Sequence, residues 1–373
     1  MPLLAILVIL LWQWSTVTAN YRGNWTAFFC TGALQPSPPS AAIENTYIFA
    51  NSKGYDGQFY RYVAYDPFMR SGLKTFVDDA RLRYRRILVP LLAYLLAGGR
   101  PGLIDPAYQI VCLSFLGLGV YWSCRFALRA SGSGTWGLLF LAMPAVPITV
   151  DRLVVDGALA ALTAAFLLFS RFSSWKLFLV LVCASLTRET GFVLVLAYCA
   201  SLVFRREFRM AGTFLLSAVP ALAWYGFVQV STTGMPLGIS LIPLSAIVHV
   251  LVHPAGYPLG IHFVSVVEAA DYAAIGGVLF AFGLAIVWFT RQPADPVRIA
   301  VVLFALLGIV LQRVDHWQNV FDFGRVYTPL LLCLAGISAE DRNVWLLAPI
   351  AMILPRLAIQ FMPQVLGVIR WIR

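Results

Sequence analysis

Chemistry in this chain is confined to a few polar islands in an apolar sequence. The first is GYDGQFYRYVAYDP, residues 54–67. Asp56 stands there at the start of an expected helix from Gly57 to about Asp66, which Pro67 stops. Its carboxylate reads two ways. It can cap the helix by accepting from the first free amides. It can also serve as a base held rigidly at a bilayer surface, taking a proton from an attacking hydroxyl. The second island is DDARLRYRR, residues 78–86, with arginines at 81, 83, 85 and 86. Guanidinium forks match phosphate oxygens. Asp78 and Asp79 are then either partners that orient the arginines or an adjacent carboxylate pair that leaves a divalent metal open.

Two further islands follow. Arg188 and Glu189 interrupt a long apolar run, LTRETGFVLVLAY at 186–198. They either pair with each other in a turn or face a cavity. Their desolvation favours the cavity, because an ordinary turn would use Ser, Asn or Gly. Arg325 precedes VYTPLLLCLAG. A cation at a helix N-terminus opposes the dipole, so an anion belongs nearby, Asp322 or a phosphate.

The elements that must position these residues are membrane helices. Of 373 residues, 60% are hydrophobic and 12% charged. That is about half the charged share of a soluble domain. The net charge of +10 comes mostly from Lys and Arg in short loops between apolar runs, which argues for membrane anchoring and against nucleic acid. Six cysteines show no CxxC and no metal-ligand spacing, and the histidines form no ligand motif. The chain therefore reads as one all-α polytopic unit over residues 1–373, with no soluble domain.

Spans are expected at about 2–18, 108–127, 136–150, 153–170, 177–186, 190–204, 211–230, 273–290, 299–313, 326–338 and 344–361, eleven in all. Residues 2–18 are either a signal peptide or an uncleaved anchor, and the missing basic segment ahead of them favours the anchor. Residues 19–107 form the first non-cytoplasmic loop and carry interfacial or re-entrant helices, with 87–98 not crossing and PSPPS at 36–40 extended. Phe59 and Val63 are expected to rest on lipid. Tyr60, Tyr62 and Tyr65 suit the interface. Basic loops at 125–134, 171–176, 205–210 and 291–298 face the cytoplasm. The four islands, with Arg152, Asp156 and the segment from Arg313 to Arg325, then share the opposite face.

These residues together resemble a family. GYDGQFYRYVAYDP, RYRRILVPLLAYLLAGG, DGALAALTAAFLLF and LTRETGFVLVLAY look like bacterial integral-membrane glycosyltransferases of the GT-C superfold, the smaller kind linked to cell-surface glycopolymers. The resemblance covers most of residues 1–204. The later part of the chain is matched only by hydrophobic pattern and Arg325. It implies a GT-C-like bundle and an inverting transfer of sugar from a polyprenyl-phosphate donor to a glycan, lipid or protein acceptor. The reaction would lie on the outer side of a bacterial inner membrane. Asp56 would be the base. Arg83, Arg85, Arg86, Arg188 and Arg325 would hold the donor phosphate, with Tyr55, Gln58, Tyr60, Tyr84 and Glu189 as further substrate contacts. A monophosphate donor needs no metal cofactor. Two other readings use the same residues: a transporter or flippase for a lipid-linked sugar, and a non-catalytic assembly subunit whose small-residue face at 157–165 packs on a partner.

Overall fold

A computed structural model of the chain describes residues 1–39, 45–172, 174–234, 242–257, 261–310, 313–318 and 320–373. The end of PSPPS and of the expected 299–313 span lie outside the described residues. Among the described residues the protein is helical almost throughout, with one parallel pair of two-residue strands, Thr31–Gly32 and Ile48–Phe49. This all-α, membrane-type architecture follows from the composition, since helices satisfy their own backbone in lipid.

Among the described residues, four helices are long and apolar enough to cross a membrane: Pro2–Asn20, Pro101–Ser131, Phe208–Ser231 and Phe263–Arg291. Two bent pairs raise the number to six: Gly134–Ala142 with Ala145–Arg152, at 57°, and Val344–Gln360 with Met362–Ile372, at 52°. The remaining apolar stretches include helices of 10–17 residues, among them Asp156–Phe169 and Trp175–Thr187. The Leu88–Leu96 helix rises only about 14 Å, too little to cross. Gly98 and Gly99 follow it, both at positive φ, and turn the chain into the helix that begins at Pro101. Residues 101–107, expected in the first loop, are already part of the Pro101–Ser131 helix.

The centre of the bundle is Asp156–Phe169. Every residue from Asp156 to Leu168 is buried, against Pro101–Ser131, Trp175–Thr187 and Val320–Asp341. Its small side chains let these neighbours come close. The stretch 157–165 is thus an internal packing surface, which corrects its reading as an exposed face for a partner.

Chain direction gives the bundle two polar ends. Asp156, Arg188 and the first turns of Val320–Asp341 lie at one end. At the other, Arg171 pairs with Asp295 and with Glu340 (2.5 Å), and Arg298 with Asp341 (2.9 Å).

Candidate functional site

The Asp56–Tyr65 helix is short because Pro67 stops it. Asp66 closes the following turn by accepting from the amides of Arg70 (2.7 Å) and Ser71 (2.9 Å). Its first turn lies directly on the backbone of Arg152. A Cβ on Gly57 would collide with the Arg152 carbonyl oxygen and stand 3.0 Å from that of Phe29, so only glycine fits. The helix is buried from Gly57 to Ala64. Phe59 and Val63 pack with Tyr62, Tyr84 and Val228 rather than on lipid, and Tyr60 and Tyr62 are equally enclosed. The rest of the first loop and neighbouring helices, Val219–Ser231 among them, cover this helix.

Asp56 is the first helical residue, after Tyr55, and makes no cap. Its two oxygens are engaged by two guanidiniums: Arg83 at 2.7 Å and Arg325 at 2.6 Å. The carboxylate is 13% exposed. Burial pushes its pKa up, but Arg325 and Arg83 together outweigh burial and hold it well below the usual carboxylate range. The helix cap in this region is Asp79, which accepts from the amide of Leu82 at 3.0 Å. Asp78 grips Arg83 with both oxygens, at 2.9 and 2.7 Å. The two neighbours thus do different jobs and form no carboxylate pair. Among the described residues, no three His, Cys, Asp or Glu side chains gather as a metal site.

Arg83 and Arg86 are three residues apart on the short Ala80–Arg85 turn and its cap, and face the same way. Both donate to the Tyr60 hydroxyl, at 3.3 and 2.9 Å, and Tyr60 stands one turn after Asp56. Arg86 also pairs with Glu189 at 3.0 Å. Glu189 is half-buried; burial pushes its pKa up, but Arg86, a backbone hydrogen bond and Arg188 together outweigh this and the net shift is downward. Arg188 reaches Asp156 at the start of the central helix. Arg188 and Glu189 are therefore not paired with each other; each bonds a different element. Arg325 pairs with Asp322 and lies 3.5 Å from Asp156. Its guanidinium stacks over Tyr55 at 5.0 Å, and the Tyr55 hydroxyl donates to Asp322 at 2.8 Å.

No family model, curated protein or solved structure matches the chain. Geometry alone therefore carries the functional argument.

Eight of the expected residues meet in this cluster: Asp56, Tyr55, Tyr60, Arg83, Arg86, Arg188, Glu189 and Arg325. Three do not. Gln58 ties the loop, accepting from the Gly32 amide (3.2 Å) and donating to the Lys53 carbonyl (2.9 Å). Tyr84 is buried among apolar residues, with no hydrogen-bond partner for its hydroxyl among the described residues. Arg85 points away, bonding Gln229 at 3.0 Å and lying over Tyr225 at 5.4 Å. Helical spacing carries that distinction: Arg83 and Arg86 share a face that Tyr84 and Arg85 cannot. Two members lacked an assigned role in the sequence. Asp156 joins Arg188 to Arg325. His316 sits among Arg188, Arg313, Arg325 and Arg86; burial, then those cations, push its pKa down to about 3. A further pair, buried Arg61 with half-buried Asp105 at 2.6 Å, fastens the loop to the Pro101–Ser131 helix.

In these pairs four guanidiniums meet five carboxylates. Several buried polar atoms still lack a hydrogen-bond partner among the described residues: Nε of Arg188, Nε and Nη1 of Arg325, and Oε1 of Glu189. The three nitrogens are donors and suit an oxyanion, whereas the Glu189 oxygen, like both oxygens of Asp156, is an acceptor; leaving such atoms unmet costs about 1–3 kcal/mol each.

Proposed function

We propose that the chain is an inverting, integral-membrane glycosyltransferase of GT-C type. It moves a sugar from a polyprenyl-phosphate donor to an acceptor of the cell envelope. In this reading the shorter apolar helices also cross, giving about eleven spans, and the cluster faces the periplasm or cell exterior of a bacterial inner membrane. One observation carries the proposal. Residues from four distant segments, Asp56, Arg83 with Arg86, Arg188 with Glu189, and Arg325, meet in one ion-pair cluster at one end of the bundle, where Arg83 and Arg325 engage Asp56 and guanidinium nitrogens of Arg188 and Arg325 lack a hydrogen-bond partner among the described residues.

The acceptor hydroxyl gives its proton to Asp56 as its oxygen attacks the anomeric carbon. The bond from that carbon to the phosphate oxygen breaks, and its electron pair stays on the polyprenyl phosphate. Arg325 and Arg188 stabilise that growing charge. Attack and departure on opposite faces invert the anomeric centre. The lipid tail fixes the depth of the reacting carbon and lowers the entropic barrier to encounter. At rest Asp56 is held by Arg83 and Arg325 and is a poor base. An incoming phosphate competes for Arg325, which loosens its grip and raises the basicity of the carboxylate.

The balance of charges favours a second reading, in which the cluster is an ion-pair clamp that only orders the loop. Asp56→Asn separates the two. In the enzyme, the purified variant keeps its elution profile in detergent and binds donor but releases no polyprenyl phosphate. Undiminished sugar transfer by a folded Asp56→Asn protein removes the base, and the enzyme reading with it.

A further inference from the structure

The end of the bundle away from Asp56 carries a pocket of about 510 Å³ that the proposed reaction does not use. It lies between the helices Pro101–Ser131, Asp156–Phe169 and Trp175–Thr187. From Asp105, which fastens the loop at the catalytic end, to Arg125 is about 30 Å along one helix. The pocket's rim is basic. Arg125 and Arg129 stand one turn apart on one helix, and Lys176 faces them from another. All three are exposed, and none has a carboxylate partner among the described residues. No acidic residue lines the pocket. Trp122 and Trp175 stand beside the cations, and Trp175 is 69% exposed. The floor is apolar, with Leu162, Leu179 and Val180.

We propose that this pocket binds an anionic membrane phospholipid. Arg125, Arg129 and Lys176 hold the phosphodiester headgroup, and an acyl chain lies on the apolar floor. Three features select this occupant. Unpaired cations converge from two helices on one concavity, which is more than the scattered basic flank that orients a membrane protein. Tryptophans at the rim match headgroup depth. A soluble anion would leave the apolar floor and the exposed Trp175 in water, whereas a lipid covers both.

The test uses the full chain in phosphatidylcholine vesicles containing a rising fraction of phosphatidylglycerol brominated on its acyl chains, with tryptophan quenching as the readout. Quenching is expected to exceed that from equally brominated phosphatidylcholine. The excess disappears in Trp122→Phe/Trp175→Phe, because those rings report the pocket. In the Arg125→Gln/Arg129→Gln/Lys176→Gln variant the preference for the anionic lipid falls by about fivefold per cation removed. These positions are exposed, so the thermal midpoint stays within a few degrees of the parent. Equal curves for the two lipids, or an unchanged preference in the triple variant, overturn the proposal. So does loss of the excess on adding millimolar inorganic phosphate at constant ionic strength, which assigns the pocket to a soluble anion.

Discussion

At the scale of single residues, the cluster turns on the grip of Arg325 on Asp56. A base must be ionised, so activity is lost as pH falls through its pKa. Arg325 and Arg83 overcome the opposing effect of burial and place that pKa well below the usual carboxylate range. The free enzyme's ionisation is reported by kcat/KM. For the parent protein, kcat/KM for sugar transfer therefore shows no acid limb from Asp56 in the ordinary carboxylate range. Arg325→Gln removes one of the two cations, so the pKa rises and an acid limb moves up in pH. The same change deletes donors to the leaving phosphate and lowers kcat by roughly 100-fold. Arg325→Lys keeps the charge and keeps the acid limb low while losing the fork. A pH profile identical in Arg325→Gln and the parent would mean that Asp56 is not the titrating base. Much of this site was legible in the sequence, because a charge in an apolar chain bears a desolvation cost that needs a reason. That logic pointed to Arg188 and Glu189; a cation opposing a helix dipole pointed to Arg325, and a carboxylate at a helix start, with the family resemblance, pointed to Asp56. None of these could supply pairings such as Arg325 with Asp156, which join segments far apart in the chain. The resemblance alone named Gln58, whose amide instead holds a loop carbonyl and amide that no local pattern announces.

At the scale of elements, the position of Asp56 depends on how closely one helix start meets a backbone. Gly57 admits the Arg152 carbonyl where any side chain would strike it. Gly57→Ala therefore pushes the first turn away from the Ala145–Arg152 helix and carries Asp56 with it. The expected loss of stability is about 1–3 kcal/mol, as for other overpacked sites. Transfer falls further than stability, because a misplacement of about 1 Å can cost 100-fold. Gly226→Ala is the matched control: nothing lies within 4 Å of its added Cβ in the Val219–Ser231 helix, and alanine favours the helix by up to about 1 kcal/mol. Thermal midpoints in detergent and initial transfer rates decide the matter. If both alanine variants behave alike, the contact at Arg152 does not position the base. Hydropathy located the helices well, and each expected span coincides at least in part with a helix. It placed the Asp56–Tyr65 helix on lipid because an i, i+4 apolar pair looks the same whether lipid or a folded loop covers it. The covering depends on long-range ties such as Arg61 to Asp105, which sequence periodicity does not contain.

At the scale of the whole molecule, the bundle separates two polar ends with one apolar core. The Phe192–Phe204 helix starts beside Glu189 at the Asp56 end and delivers Arg205 to the other, about 20 Å away. The central helix likewise starts at Asp156 and runs toward Arg171, and the next returns from Lys176 to Arg188. This alternation sorts the charges. The Asp56 cluster gathers at one end, and the basic turns at 125–134, 171–176 and 205–210 at the other, a bias that under the proposed reading makes the second end the cytoplasmic one. Opposite labelling of the two ends is therefore expected in intact cells. In a chain whose six native cysteines are replaced by serine or alanine, Lys53→Cys stands exposed just before the Asp56–Tyr65 helix, and Arg205→Cys stands exposed at the far end. A membrane-impermeant maleimide should modify the first without cell disruption and the second only after it. If both react from outside, the bundle does not separate them by a membrane. If the order reverses, the carboxylate faces the cytoplasm, where a donor on the outer leaflet could not reach it, and an outward-facing transferase is no longer tenable.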